Sequence, residues 1–480
     1  MNRLFRGAMI CVWLLVPAQL LAHAHLKSSR PRQGAKLVTM PKRIELDFSE
    51  TPELALTTIT LVGPDGKEIP LGSLERSSAS AQTIVAPIGI LLGAGSYRIR
   101  WRTAAEDGHP TSGVVTFDVM PASTAPVTMH TRMMQPGQEG GMTDADRGTG
   151  FGVESPLYVS IRWIQFLALL IVIGAVTFRQ LVLSFLKRKE DPDSPMIPDA
   201  ARGAARLGEW AAAVLLLVAV TRLGAQSYMM YGGTSGLAPG MMGSMMTRTL
   251  WGRGWFFQIA GIAIAGVGFH KAREGDSSRW WLAASLGAFL LAFTPAFAGH
   301  ASSSPRLTAL AIFADGLHVI GGGGWLGSLL MVIGVGIPAA LRLPTGRRGP
   351  MVAEVVNAYS PIALTFAGII STTGVFAAWL HLGSVPALWT TDYGKTLLIK
   401  LGILSIVAAT GAYNWVRVKP HLGLVEGAAK IRRTAMIELV VGVLVVLATA
   451  VLVALSTPRD AALNGAAADA ASIGSVGAEL

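Results

Sequence analysis

Cysteine is almost absent from this chain of 480 residues: the one copy, Cys11, lies inside an apolar N-terminal run. A lone cysteine excludes an intramolecular disulfide and any metal site built from several thiolates. Charged residues are also scarce, at 14% against 51% hydrophobic residues, a balance too apolar for an ordinary soluble enzyme. A soft metal ion would therefore have to be held by methionine or histidine.

The sequence contains no P-loop, which excludes ATP hydrolysis of that type as an energy source. It also lacks a basic patch with interleaved aromatic residues, although the net charge is +11. Its lysines and arginines lie mainly in short stretches between apolar runs, which is the positive-inside pattern of a membrane protein. We therefore expect no nucleic-acid partner.

The N-terminus has the features of a secretory signal peptide, assigned to residues 1–22. Arg3 and Arg6 precede an apolar core, and small residues follow at Ala22 and Ala24. Cleavage after Ala22 would leave His23 as the first residue, whereas cleavage after Ala24 would leave His25. In either case a histidine begins the mature chain.

Residues 23–120 predict an all-β sandwich of cupredoxin-like or immunoglobulin-like type. Polar and apolar residues alternate with a period of two, as expected of half-buried strands, in Arg43–Phe48, Thr58–Leu61, Tyr97–Trp101 and Val114–Val119. Turn signals rich in glycine separate these segments, at 63–66 and 93–95. Residues 121–153, rich in Pro, Gly, Ser, Thr and Met, are interpreted as a linker.

Residues 154–458 predict an all-α membrane domain of about eight spans, each needing about 20 apolar residues. We place the spans near residues 157–178, 207–228, 250–269, 281–299, 307–336, 360–381, 394–416 and 435–456. If the N-terminal domain is secreted, the first span runs inward and the following spans alternate in direction. Most basic residues of the loops then lie on the inner side, in agreement with the positive-inside rule. The sequence thus predicts a multi-pass protein of the bacterial inner membrane with a periplasmic N-terminal domain, and a C-terminal tail at 459–480.

The secreted domain carries a candidate set of copper ligands. An N-terminal histidine offers its α-amino group and its imidazole to one metal ion, and Glu106-Asp-Gly-His109 adds a carboxylate and a second imidazole. Nitrogen and oxygen donors suit Cu(II), which favours tetragonal geometry. The alternative is that Asp107-Gly-His109 forms an ordinary turn, because Asp-Gly is a common turn signal.

Four segments of this domain resemble the CopC family of periplasmic copper carriers. They are His23-Ala-His-Leu-Lys-Ser-Ser-Arg-Pro31, Ile44-Glu-Leu-Asp-Phe-Ser-Glu50, Gly95-Ser-Tyr-Arg-Ile-Arg-Trp101 and Asp107-Gly-His-Pro-Thr-Ser-Gly113. The resemblance implies a Cu(II) site at His23, Asp107 and His109, with His25 nearby, and signal cleavage after Ala22. Some relatives also bind Cu(I) through a methionine-rich loop. Residues 60–95 contain no methionine, so the resemblance implies no such site in this β-domain.

The membrane domain contains polar residues of the kind that mark a functional path, since burying them in lipid is costly. Asp315 and His318 lie three residues apart on one helix face, where Asp315 could hydrogen-bond the imidazole ring. His300 and His381 end predicted spans on the outer side. Six methionines follow the second span, and their thioethers suit Cu(I): Met229, Met230, Met241, Met242, Met245 and Met246. Alternatively, these methionines are apolar filler and the histidines bond nearby backbone groups.

This second part resembles the CopD family. The similarity rests on Ala298-Gly-His-Ala301, Asp315-Gly-Leu-His318 running to Trp325-Leu-Gly327, and Thr391-Asp-Tyr-Gly-Lys395 followed by Leu398-Ile-Lys400, with Asn414 and Glu438 at matching places. Gly321 to Gly324 suggest close helix packing. A CopC-like head on a CopD-like body implies copper uptake or copper tolerance, with copper ions and the bilayer as partners and periplasmic copper chaperones or oxidases as further ones.

The leading hypothesis is therefore capture of Cu(II) by the head and transfer of copper through the membrane domain, without enzymatic activity. A second reading is a membrane redox protein in which histidines of neighbouring spans hold haem. A third is a copper enzyme, since a copper site at a terminal histidine also serves oxidative polysaccharide cleavage. Sequestration of copper without transport is a further alternative.

Overall fold

The computed structural model describes residues 26–49, 51–104, 110–121, 155–188, 194–231, 233–275, 277–297, 308–414, 416, 425–455 and 457–458. These residues form two compact units. One unit combines the N-terminal part of the chain, up to residue 121, with the segment Gly224–Gly252. The other unit contains the remaining helices, and each unit is considered by itself below.

The N-terminal unit is a β-sandwich, as the alternating sequence predicts. Its strands are β1 (Leu26–Arg30), β2 (Ala35–Leu37), β3 (Arg43–Phe48), β4 (Thr58–Val62), β5 (Glu68–Ile69), β6 (Glu75–Ser77), β7 (Ser80–Pro87), β8 (Gly95–Ala104) and β9 (Pro110–Val119). One sheet has the order β1-β3-β7-β6 and the other β2-β9-β8-β4-β5. Neighbouring strands are antiparallel except for β2 and β9, a short parallel pair that the sequence pattern did not reveal.

The core of the sandwich comes from the inward-facing residues of the alternating strands. Ile44, Leu46 and Phe48 are fully buried on β3, and Ile99 and Phe117 fill the facing sheet. Every second residue of these strands therefore removes apolar surface from water, at a gain of roughly 25 cal/mol per Å². The two sheets meet through the rings of Phe48 and Trp101, which pack edge to face.

The second unit is helical. Its helices longer than eight residues, together with one helix of the first unit, are α1 (Pro156–Thr177), α2 (Met196–Tyr231), α3 (Pro239–Arg248, in the first unit), α4 (Leu250–Glu274), α5 (Ser278–Ala292), α6 (Thr308–Gly322), α7 (Thr345–Leu382), α8 (Asp392–Tyr413) and α9 (Val425–Leu452). Helical turns extend α1 to Leu186 and α6 to Ala340. The chain is therefore helical near each of the eight positions where spans were predicted.

Among the described residues, six helices are long and apolar enough to cross a membrane, so the expected count of about eight is not confirmed. They are Pro156–Leu186, Met196–Tyr231, Ala309–Ala340, Thr345–Leu382, Asp392–Tyr413 and Arg433–Leu452. The two other predicted spans correspond to α4 and α5. Helix α5 has 15 residues, about 22 Å of rise, against a hydrocarbon thickness of about 30 Å. Helix α4 carries Arg253, Gln258 and His270 among its apolar residues.

Helices α1 and α6 pack backbone to backbone through glycine. A Cβ on Gly327 would overlap the backbone carbonyl of Leu170, and one on Gly174 would overlap the backbone of Gly327. The expectation of close packing at 321–324 agrees with the structure, where a Cβ on Gly324 would meet the ring of Phe366 at 2.5 Å. Small residues let membrane helices approach closely and maximise their van der Waals contact.

We expect Gly327→Ala to destabilise the helical unit, by about 1–3 kcal/mol or more, because its methyl group has to displace backbone rather than a flexible side chain. Gly334→Ala is the matched control, since nothing lies within 4 Å of a Cβ there. Thermal unfolding of the detergent-purified variants measures the difference. Equal unfolding temperatures for the two variants would contradict the assigned α1–α6 contact.

Candidate functional site

All four predicted ligands of the β-domain lie outside the described residues: His23, His25, Asp107 and His109. His300 of the membrane domain lies outside them as well. The described residues that flank them are informative. Strand β1 begins at Leu26, directly after the predicted N-terminal histidines. Strands β8 and β9 end at Ala104 and begin at Pro110, on the two sides of Asp107 and His109.

These flanking strand ends lie at the same end of the sandwich. Leu26 of β1 is paired in register with Phe48 of β3. The ring of Phe48 lies 5.3 Å from the ring of Trp101, centroid to centroid. Trp101 precedes the last residue of β8 by three positions. The first residue of β1 and the C-terminal part of β8 therefore lie at one end of the sandwich.

The methionine-rich segment is part of the same compact unit, which the sequence did not predict. Residues Gly224–Gly252 group with the β-sandwich, and Arg102 Nη1 on β8 donates a hydrogen bond of 2.9 Å to the carbonyl of Met229. Helix α3 also packs near the short helix Leu54–Leu56. The next residue, Thr57, hydrogen-bonds Thr103 of β8 at 2.7 Å. The segment that carries the methionines therefore lies beside strand β8.

The six methionines fall into two sets. Met229, Met230 and Met245 are at most 6% exposed, so they fill the packed interior, as the filler interpretation expects. By contrast Met241 is 42% exposed, and Met242 and Met246 are half-buried. Met242 and Met246 are four residues apart on α3, which places them on one face of the helix. This pair has the spacing to offer two thioethers to one ion.

His318 belongs to a group of polar side chains in the helical unit, called the first polar layer below. The hydrogen-bond partner of its imidazole differs from the expected one. Its Nδ1 lies 2.9 Å from Oγ1 of Thr373 on α7, in place of the predicted bond to Asp315. The Thr373 hydroxyl donates to the carbonyl of Ile369 at 2.7 Å, so it acts as acceptor toward the ring. A neutral imidazole that donates through Nδ1 keeps its Nε2 lone pair for a metal ion.

Two charged groups complete this layer. Asp315 lies one turn before His318 on α6, and Lys400 of α8 interacts electrostatically with both. The sequence motif contained Lys400, but spacing alone did not connect it to His318, because the two residues lie on different helices. The layer therefore combines an imidazole, a carboxylate and an ammonium group contributed by α6 and α8.

A second polar layer lies further along α7, α8 and α9. The Asn414 amide donates to the Glu438 carboxylate, which is only 7% exposed, and Asn414 Oδ1 is buried without a hydrogen-bond partner among the described residues. Tyr359 of α7 lies within electrostatic range of Glu438 and donates to the carbonyl of Trp325 at 3.1 Å.

The two layers are separated by similar distances along two helices. Thr373 and Tyr359 are 14 residues apart on α7, and Lys400 and Asn414 are likewise 14 residues apart along α8 and its C-cap. At 1.5 Å of rise per residue, each separation corresponds to about 21 Å. Polar groups therefore occupy two depths of one helical cluster.

His381 stands apart from His318. It lies near the C-terminal end of α7, where its ring packs edge to face on Tyr393 at 6.4 Å, eight residues beyond Thr373 and thus about 12 Å further along the axis. This spacing gives no support to a haem held between His318 and His381. Among the residues that the structure describes, no group of three or more His, Cys, Asp or Glu is placed to hold a metal ion.

Comparison with known families and proteins shows to which family the chain belongs. Three family models match it: CopC domain at residues 26–120, Copper resistance protein D-like, N-terminal domain at 153–305, and Copper resistance protein D at 353–452. Copper transport protein CutJ of Bacillus subtilis is 25% identical over 457 residues, covering 94% of this chain and 77% of that protein. Copper resistance protein C of Escherichia coli is 34% identical over 105 residues, 21% of this chain and 82% of that protein.

Further similarities concern the N-terminal domain. Protein YobA of Escherichia coli (strain K12) is 31% identical over 105 residues, 22% of this chain and 85% of that protein. Among solved structures, CopC from Methylosinus trichosporium OB3b matches at 23% identity with a TM-score of 0.20, covering 22% of this chain and 100% of that chain. PcoC, a methionine-rich copper resistance protein from Escherichia coli, matches at 29% identity and a TM-score of 0.19, covering 20% and 99%. This chain therefore belongs to the copper-resistance family, with CopC and CopD domains joined in one polypeptide.

Proposed function

We propose that this protein binds copper in the periplasm through its β-domain and transfers it through the membrane domain across the inner membrane. The observation that carries this proposal is the arrangement of polar side chains in two layers within helices long and apolar enough to span a bilayer. Buried ionisable groups in such helices are costly and mark ion pathways. Family membership and the relative named as a copper transport protein support the choice of copper as the transported ion.

The proposed topology starts with removal of residues 1–22 as a signal peptide. The β-domain, residues 23–120, then lies in the periplasm and is joined by a linker at 121–153 to the membrane domain at 154–458, with a tail at 459–480. In this orientation His318 lies in the outer half of the membrane, and the Asn414–Glu438 pair lies near the inner side. Copper would meet the His318 layer first.

In the head, we propose that Cu(II) is bound by the α-amino group and imidazole of His23 together with Asp107 and His109, with His25 nearby. The convergence of the flanking strand ends supports this set, because Leu26 and Trp101 are connected through the ring of Phe48. Nitrogen and carboxylate donors match Cu(II) better than Cu(I). The protein itself is proposed to be a carrier rather than an enzyme.

The Met242–Met246 face is proposed to receive copper from the head as Cu(I), since thioethers are soft ligands. This step requires one electron, which a periplasmic reductant such as a quinol or a thiol would supply. Periplasmic copper chaperones or oxidases are the proposed protein partners. The position of Met229 next to Arg102 supports a short transfer distance from β8.

Copper entry into proteoliposomes tests the transport function. Vesicles containing the full chain and an internal Cu(I)-sensitive dye, supplied with copper and ascorbate outside, should fill faster than empty vesicles. Met242→Leu combined with Met246→Leu should slow filling, because leucine preserves apolar packing and removes both thioethers. Met230→Leu is the matched control, since Met230 is fully buried.

Transport would be contradicted if copper entered vesicles that contain the wild-type protein no faster than it enters empty vesicles. If copper nevertheless remained bound to the protein at a fixed ratio, sequestration without transport would be the better function. Equal filling rates for the double variant and its control would remove the Met242–Met246 pair from the path while leaving transport itself in place.

A further inference from the structure

Two arginines lie inside helices of the membrane-spanning type, apart from the polar layers described above. Arg162 is on α1 and Arg222 is on α2, where Arg222 is only 9% exposed. A guanidinium group stays charged in proteins. Burying such a charge is costly unless an opposite charge accompanies it.

The contacts of both arginines are to uncharged groups. Arg222 Nη1 donates to Gln165 Oε1 at 2.7 Å. Arg162 Nη1 donates to the carbonyl of Ala450 on α9 at 3.4 Å, and its guanidinium lies over the ring of Tyr158 at 5.1 Å. No acidic side chain among the described residues forms an ion pair with either of them.

Arg222 also has a hydrogen-bond donor that is not used. The Nε atom of Arg222 is buried and has no hydrogen-bond partner in the described part of the chain. The positive charges of Arg222 and Arg162 also repel each other across the α1–α2 contact. Two neighbouring cations with a free buried donor, and with no carboxylate paired to them in the described part of the chain, match the requirements of an anion.

The position along the helices indicates the depth of the site. Arg162 lies six residues after the first residue of α1, about 9 Å along its axis. Arg222 lies nine residues before the last residue of α2. Both arginines are thus nearer to those helix ends that the proposed topology puts on the outer side, which is the side of the outer-leaflet headgroups.

We propose that Arg162, Arg222 and Gln165 form a binding site for a phosphate group. The planar fork of arginine matches phosphate oxygens bidentately, and charge-assisted hydrogen bonds of this kind are strong. A lipid phosphodiester of the outer leaflet and free inorganic phosphate share this chemistry. The site is independent of the copper path, since neither arginine contacts the His318 or Glu438 layer.

The experiment compares full-length protein in detergent by native mass spectrometry and thermal unfolding. Wild-type protein should retain one phospholipid and gain stability when phosphatidylglycerol is added. Arg222→Gln and Arg162→Gln should each need at least about tenfold more lipid for the same gain. Arg222→Lys, which keeps the charge but not the fork, should lie between them and the wild type. Arg253→Gln is the control, because Arg253 is an exposed arginine of α4.

Two titrations distinguish the sources of phosphate. Stabilisation by phosphatidylglycerol but not by inorganic phosphate identifies a lipid site, and stabilisation by both, with loss of the bound lipid as phosphate rises, identifies a general phosphate site. If Arg222→Lys and Arg222→Gln are folded and respond to lipid and phosphate as the wild type does, the site does not exist. The same conclusion follows if the wild-type protein responds to neither.

Discussion

Replacing His318 with alanine is expected to abolish copper transfer across the membrane while the head still binds Cu(II). The imidazole is held by Thr373 through Nδ1, so the substitution removes the Nε2 donor of the first polar layer. Alanine is easier to bury in a bilayer than histidine, so insertion should not suffer. Copper accumulation in cells with matched membrane levels of each protein measures the effect. Thr373→Val should give a smaller loss, because it removes only the group that orients the ring.

His270→Ala provides the matched control for this experiment. His270 is also a histidine of the helical unit, but its Nδ1 lies 2.9 Å from Glu209 in a local ion-pair network. It lies in neither polar layer, so its replacement should leave transfer within about twofold of the wild type. Accumulation that is unchanged in the His318 variant would remove this residue from the path and favour the Met242–Met246 face.

One extra residue before His23 is expected to destroy the Cu(II) site of the head. A serine inserted after Ala22 converts the α-amino ligand into a peptide nitrogen, which is not available as a neutral donor. The affinity for Cu(II) should fall by more than about 100-fold, since even loss of an outer hydrogen-bond partner of a metal ligand costs about 10- to 100-fold. Electron paramagnetic resonance of Cu(II) bound to the full-length protein reports the change of nitrogen ligands.

Removal of the added serine by an aminopeptidase should restore both the affinity and the spectrum, which controls for misfolding. Mass spectrometry of the untreated protein shows where the signal peptide is cleaved. A mature chain that begins at His25, or an extended protein with unchanged affinity and spectrum, would show that His23 is not the terminal ligand.

The sequence predicted those parts of the fold that repeat with a regular period. Alternation in Arg43–Phe48 defined strand β3 to the residue, because a strand with one buried face has to alternate. Long apolar runs likewise located the helices. Whether a helix can span a membrane depends on its length and on the polar residues within it. The apolar runs at α4 and α5 therefore predicted two spans that the described residues do not confirm.

The candidate site was predictable only where its residues are neighbours on one helix. Asp315 and His318 were paired from their spacing, yet the hydrogen-bond partner of His318 is Thr373, 55 residues away. The contact of Met229 with Arg102 of the β-sandwich and the pairing of Arg162 with Arg222 also join residues that are far apart in the sequence. Such contacts follow from tertiary packing, for which no local periodicity exists.

The glycine contact between α1 and α6 has a consequence for the movements that the proposed transport would require. Helices joined at backbone distance around Gly174 and Gly327 cannot separate or slide without losing that fit, so this pair acts as a static scaffold. Few side chains of the apolar windows of α7 and α8 are buried within the chain, and these helices carry Thr373 and Lys400. Helix α7 is itself held to α6 where Phe366 packs on Gly324. Alternating access, which rocks one bundle against another, would then be a motion of α8, with Lys400, against the scaffold.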